Sequence, residues 1–136
     1  HSHSCAVYND QIIFFGGMVC QNNSNIHRTN QVVVYNVLKK TWKIAQCGGD
    51  LPPQLWGHRV IVHKHHMYSF GGFASSFIND VYKLNLNTFQ WYHVLTRHPR
   101  FGRSRTTPTR RHLHIWAKAG DFVYLIGGSS NSLTVT

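Results

Sequence analysis

Phe15-Gly16-Gly17, Phe70-Gly71-Gly72 and Ile126-Gly127-Gly128 decide the reading of this chain. The first glycines of these pairs stand 55 and then 56 residues apart. Each pair closes a short apolar run: Gln11-Ile12-Ile13-Phe14-Phe15, His66-Met67-Tyr68-Ser69-Phe70 and Asp121-Phe122-Val123-Tyr124-Leu125-Ile126. One Gly-Gly after a strand says little, since glycine ends strands everywhere. Three at a near-constant period define an internal repeat, and a repeat sets the architecture.

Counting from the first glycine of each pair extends the register. Thirteen residues upstream stand His3, His58 and His114, and fifteen upstream stand His1, Trp56 and His112. Downstream, Asn30-Gln31-Val32-Val33-Val34-Tyr35-Asn36 matches Asn79-Asp80-Val81-Tyr82-Lys83-Leu84-Asn85, and Trp42 and Trp91 each follow six residues after the second asparagine. Length differences fall only between these matched blocks, as a packed scaffold with variable loops requires.

Each unit reads as four strands rich in Val, Ile, Tyr, Phe and Trp, which suit a pleated, half-buried surface. The first unit gives 3–8, 11–16, 31–38 and 41–46; the second gives 57–63, 66–71, 80–86 and 89–95. The third gives 112–118 and 122–127, then 132–136 as a further short strand. Asn9-Asp10, Lys39-Lys40 and Gly120-Asp121 supply tight turns. No stretch shows helical periodicity. The expected fold is therefore all-β. Four short antiparallel strands per repeat of about 50 residues describe a propeller blade. The Gly-Gly strand, the Asn-Asp-Val-Tyr run, the tryptophan that follows, Gly57-His58 and the Arg-x-x-His of Arg111 to His114 together resemble kelch repeats. The resemblance covers nearly the whole chain, at two and a half to three repeats. Residues 1–55 form a first repeat and 56–110 a second, with a basic inter-blade loop over 96–110. Residues 111–136 form a partial third. The second unit departs from the pattern in Trp56-Gly57-His58-Arg59, where the arginine follows the histidine.

Closed propellers use about four to eight blades, so the expectation is an incomplete propeller, or a fragment of a larger one that takes further blades in cis or in trans. No run approaches the ~18 apolar residues of a membrane helix. Cys5, Cys20 and Cys47 lack metal-type spacing, which points to a reducing, intracellular compartment, cytoplasmic or nuclear.

Charge is the other unusual property. Fourteen Lys and Arg face four Asp and no Glu, and six of the eight arginines fall between Arg97 and Arg111. Antiparallel strands alternate connections between the two ends of a blade. All the long segments (18–29, 47–56, 73–78 and 96–110) then share one end, and binding residues favour such loops on a rigid scaffold. Arginine's planar fork suits carboxylate or phosphate. Arg97, Arg100, Phe101, Arg103, Arg105 and Arg28 are the candidate partner-binding residues. The expected ligand is an acidic or carboxylate-bearing peptide or protein. Kelch propellers are protein-interaction modules, and several kelch families are substrate receptors of cullin-RING ubiquitin ligases, so the resemblance implies that class of role.

Two alternatives stand beside it. A net charge of +10, with Phe101, Trp56 and Tyr92 as stacking faces, suits a nucleic-acid- or phosphate-binding propeller within a larger assembly. Eleven histidines raise a metal-dependent kelch-fold enzyme. His3, His58 and His114 occupy one repeat register, however, which assigns them to blade packing. Trp42 and Trp91 likewise read as blade core, and Gly16, Gly17, Gly71, Gly72, Gly127 and Gly128 as structural glycines. No catalytic residue, metal or cofactor is expected.

Overall fold

A computed structural model describes residues 1–21, 25–94 and 108–130. In chain order the first repeat holds β1 (Ser4–Tyr8), β2 (Gln11–Phe15), β3 (Met18–Gln21), β4 (Asn25–Arg28), β5 (Val32–Asn36) and β6 (Thr41–Ile44). The linker carries β7 (Gly48–Gly49). The second repeat holds β8 (Arg59–His63), β9 (His66–Phe70), β10 (Val81–Asn85) and β11 (Gln90–Val94), and the third holds β12 (Ile115–Ala119) and β13 (Phe122–Ile126).

The sheets are blades. The first is an antiparallel meander in the order β1-β2-β5-β6, and the second runs β8-β9-β10-β11 with β7 added in parallel to β11. β12 and β13 pair as the start of a third blade. The fold is all-β, as the repeat implies, and the strands fall where the sequence places them. Two departures lie in segments expected to be plain loops. Residues 18–29 contain the separate hairpin β3–β4, and the linker 47–56 contributes β7. Residues 132–136 lie outside the described residues.

A blade is one sheet thick, so its core lies between blades. Ile13, Phe15, Val32 and Val34 of the first blade bury against Val60, Met67, Leu84 and Trp91 of the second. The Phe15 and Trp91 rings lie 4.8 Å apart. The alternation of strands leaves the first blade's other face apolar and open. Trp42 pairs with Tyr35 and Ile44 with Val33 across β5–β6, so all four share that face. Trp42 is 64% exposed, tilted against Phe14 and Tyr35. The register places Trp42 opposite the face that packs on the second blade. Trp91, on the covered face, is 1% exposed.

Turn chemistry repeats with the strands. The side chain of Asn36 accepts from the Lys39 amide at 2.8 Å, and that of Asn85 accepts from the Asn87 amide at 2.9 Å. Both turns end on a residue with positive φ, Lys40 and Phe89, four positions after the asparagine. Asn30 and Asn79, which open the matched runs, donate to the carbonyls of Pro52 and Pro108 at 2.9 and 3.2 Å. The two linkers therefore rejoin the scaffold in the same register, and the extra length of the second falls before Pro108.

Candidate functional site: the blade joints and the loop end

The Gly-Gly pairs and the repeated histidines form one joint. The first glycine of a pair faces the next blade. At Gly16 (φ 62°) a Cβ would come within 2.7 Å of the His58 ring and 2.9 Å of the Leu55 carbonyl; at Gly71 (φ 65°) it would meet the Arg111 carbonyl at 2.5 Å and His114 at 3.0 Å. The next amide completes the contact. Gly17 N–H donates to the Leu55 carbonyl and Gly72 N–H to the Arg111 carbonyl, each at 2.8 Å. His58 lies edge-on to Phe15 at 4.8 Å and His114 edge-on to Phe70 at 5.3 Å. Both imidazoles have no exposed surface, and among the described residues no hydrogen bond of normal geometry reaches their ring nitrogens. Burial pushes His58 down to about 3, opposed by the Phe15 backbone and reinforced by Arg59; burial, then the nearby Arg59 and Arg111, pushes His114 down to about 4. These are neutral packing residues. His3 holds the same register on the first blade and is exposed, its ring against Phe14 of its own blade.

A second repeated contact runs alongside. Gly57 N–H donates to the Ser2 carbonyl at 3.0 Å, and Leu113 N–H donates to the Gly57 carbonyl at 2.7 Å. Ser2, Gly57 and Leu113 are equivalent positions, and all three have φ between 54° and 69°. The residue before each, His1, Trp56 or His112, pairs with the residue after its own Gly-Gly: Met18, Phe73 or Ser129.

The loop end above these joints carries the candidate binding surface. Cross-strand pairing puts Met18 opposite Arg28 and Cys20 opposite Ile26 in the β3–β4 hairpin. Met18, Ile26, His27 and Arg28 with Gln54 and Trp56 line a groove of about 340 Å³ between the hairpin and the first blade joint. Arg28 donates to the Ala74 carbonyl and stands 5.9 Å from the Phe73 ring centroid, so it also ties the hairpin to the second blade. An aromatic cluster continues inward. Trp56 lies 5.8 Å from Phe73 and 5.0 Å from His112, and Phe77 lies 4.8 Å from His112. Of the candidate partner residues, Arg28 is at this groove, while Arg97, Arg100, Phe101, Arg103 and Arg105 lie outside the described residues. Met18, Ile26, His27, Gln54 and Trp56 were not anticipated as a group. The signal was a tryptophan where the other repeats have histidine, together with a connection over 18–29 longer than its counterpart over 73–78.

Arg111 is structural at its described contacts, donating to the Gly127 carbonyl at 2.8 Å and to the Thr109 hydroxyl at 2.7 Å. Two of the four carboxylates meet at the outer strands of the second blade. Asp80 lies 3.0 Å from His93 Nε2, and Asp50 accepts from the His93 amide at 3.2 Å. Burial first, then Asp80 and Asp50, push the Tyr82 hydroxyl up. Tyr92 stands on β11 under the Lys83 ammonium, not at the groove. Among the described residues no group of three or more His, Cys, Asp or Glu is placed to hold a metal ion. Nor, among them, is any helix long and apolar enough to cross a membrane.

Meander blades that bury their faces against one another, with histidines wedged against Gly-Gly turns, define a segment of a β-propeller. The KLHDC2/KLHL20/DRC7 Kelch-repeats domain matches residues 2–135, and the chain belongs to the kelch-repeat family, whose domains are protein-interaction modules. It is 29% identical over 132 residues to the human Kelch domain-containing protein 10, covering 96% of this chain and 28% of that protein. It is 27% identical to the Drosophila melanogaster Kelch domain-containing protein 10 homolog, covering 96% of this chain and 21% of that protein. It is also 28% identical to the Caenorhabditis elegans Host cell factor homolog hcf-1, covering 98% of this chain and 16% of that protein. The chain thus spans less than a third of the length of these relatives.

Proposed function

We propose that this chain is the part of a kelch propeller that binds an acidic or carboxylate-bearing protein segment through its inter-blade loop end. One observation carries the reading. The β3–β4 hairpin and the described flanks of the second linker, Val94 and Pro108, lie at the same end of the blades, and the sequence of that linker holds most of the arginines in a chain of net charge +10. Cations grouped on adaptable loops attract anionic partners and set their orientation. The resemblance to substrate receptors of cullin-RING ligases extends the proposal to that role inside the cell, where the free thiols of Cys5, Cys20 and Cys47 would stay reduced.

The test replaces Arg97, Arg100, Arg103 and Arg105 by alanine and titrates an Asp/Glu-rich peptide at several salt concentrations. The expected result is weaker binding, by about tenfold or more, and a shallower salt dependence, since exposed charges act through screened fields. Unchanged affinity removes the arginine linker from the account. Co-purification with a cullin adaptor tests the ligase role. The same net charge favours a second reading, nucleic-acid or phosphate binding. A single-stranded oligonucleotide that fails to bind even at low salt sinks it.

A further inference from the structure

The groove beside Trp56 is an addition to the repeat. At the next joint the connection between the second and third strands spans only residues 73–78, closed by a single Phe73–Phe77 bridge in place of a paired hairpin of two strands, and His112 replaces Trp56. His112 is buried there, its Nδ1 3.0 Å from the Ser129 carbonyl. At the first joint the inserted hairpin instead holds Ile26 at 54% exposure, away from the inter-blade core. Ile26, Met18 and Trp56 form apolar walls, and Arg28 and His27 stand at the same opening. Arg28 spends one N–H on Ala74, and a guanidinium has five. The rim residues Ile26, His27 and Gln54 are all exposed, so the groove does not enclose a small ligand but can take one side chain of a longer segment.

We infer that this groove anchors an aliphatic or aromatic side chain of the acidic segment, with the neighbouring carboxylate held toward Arg28. Charge selects the occupant: beside Arg28, on a chain of net charge +10, an acidic peptide is attracted and a basic one repelled. The inference rests on the acidic-partner reading above and gives it a specific anchor. Apolar contact supplies what arginines alone do not, since burying one large side chain is worth about tenfold or more in affinity.

The experiment selects a phage-displayed random dodecapeptide library on the full chain and on its Ile26→Asp variant. Ile26 is exposed on a hairpin outside the core, so the fold should survive, and circular dichroism checks that it does. The expected outcome is enrichment of acidic sequences carrying Leu, Ile, Phe or Trp within two positions of Asp or Glu. A synthetic winner should lose about tenfold or more in affinity when that residue becomes Ala, and again on Ile26→Asp. Acidic winners with no apolar preference, or equal binding to both proteins, overturn the anchor and leave the acidic reading standing. Winners without acidic residues overturn both, and enrichment of basic or aromatic sequences alone does the same.

Discussion

At the scale of single residues, a small set of positions does most of the joining. The first glycine of a pair needs both a left-handed backbone and an absent Cβ, because the next blade's histidine and a carbonyl lie where that carbon would be. The two requirements can be separated by experiment. Gly120 has φ 57° with nothing within 4 Å of its Cβ position, whereas Gly71 adds a carbonyl at 2.5 Å. Gly120→Ala should cost about 1 kcal/mol, the left-handed penalty alone. Gly71→Ala should cost about 3 kcal/mol or more, because overpacking adds to the same penalty. Chemical denaturation of the two variants checks the difference. The histidines give a second residue-scale expectation. His58 and His114 take up protons at about 3 and about 4 in the folded chain, against 6.5 when unfolded. The unfolded chain therefore binds more protons below pH 6.5. Stability is full above that value and is lost as pH falls through 6.5 toward 4 and 3. Each imidazole adds a slope of up to about 1.4 kcal/mol per pH unit. Denaturation curves between pH 7 and 4.5 should show it, and a His58→Gln variant should show a shallower slope whatever its absolute stability.

At the scale of elements, the matched tryptophans part company. Trp91 on β11 fills the space between two blades, and Trp91→Ala should cost about 3–5 kcal/mol. Trp42 on β6 lies on the open face at 64% exposure, and Trp42→Ala should cost about 1 kcal/mol or less. Thermal melts of both variants test this. The strands themselves were legible because period-two patterning and turn residues are local signals, and a period repeated along the chain reinforces each of them. The exposure of Trp42 was not, because burial depends on which neighbour covers a face, and one repeat does not encode that. The β3–β4 hairpin escaped notice for a different reason: Met18-Val19-Cys20-Gln21 and Asn25-Ile26-His27-Arg28 are short and polar-mixed, with no counterpart in the second repeat. Of the candidate site, Arg28 could be chosen from its charge. Its neighbours Ile26 and Trp56 could not, since they meet only after the hairpin folds over the joint.

At the scale of the whole chain, the described blades leave apolar faces at both ends. Ile115, Tyr124 and Ile126 of the third blade are exposed, as Val7, Trp42 and Ile44 of the first are. These faces are apolar, like the buried joint between the first two blades. The hydrogen-bonded column Ser2–Gly57–Leu113 shows how such joints can be made alike while their side chains differ. One position carries serine, glycine and leucine in turn, yet the main chain bends the same way and bonds the same way each time. A repeat is then a cassette whose connectors are peptide groups, indifferent to what the cassette displays. Gene duplication could add or exchange such units, and loops could diverge for new partners, without renegotiating the seam between one unit and the next.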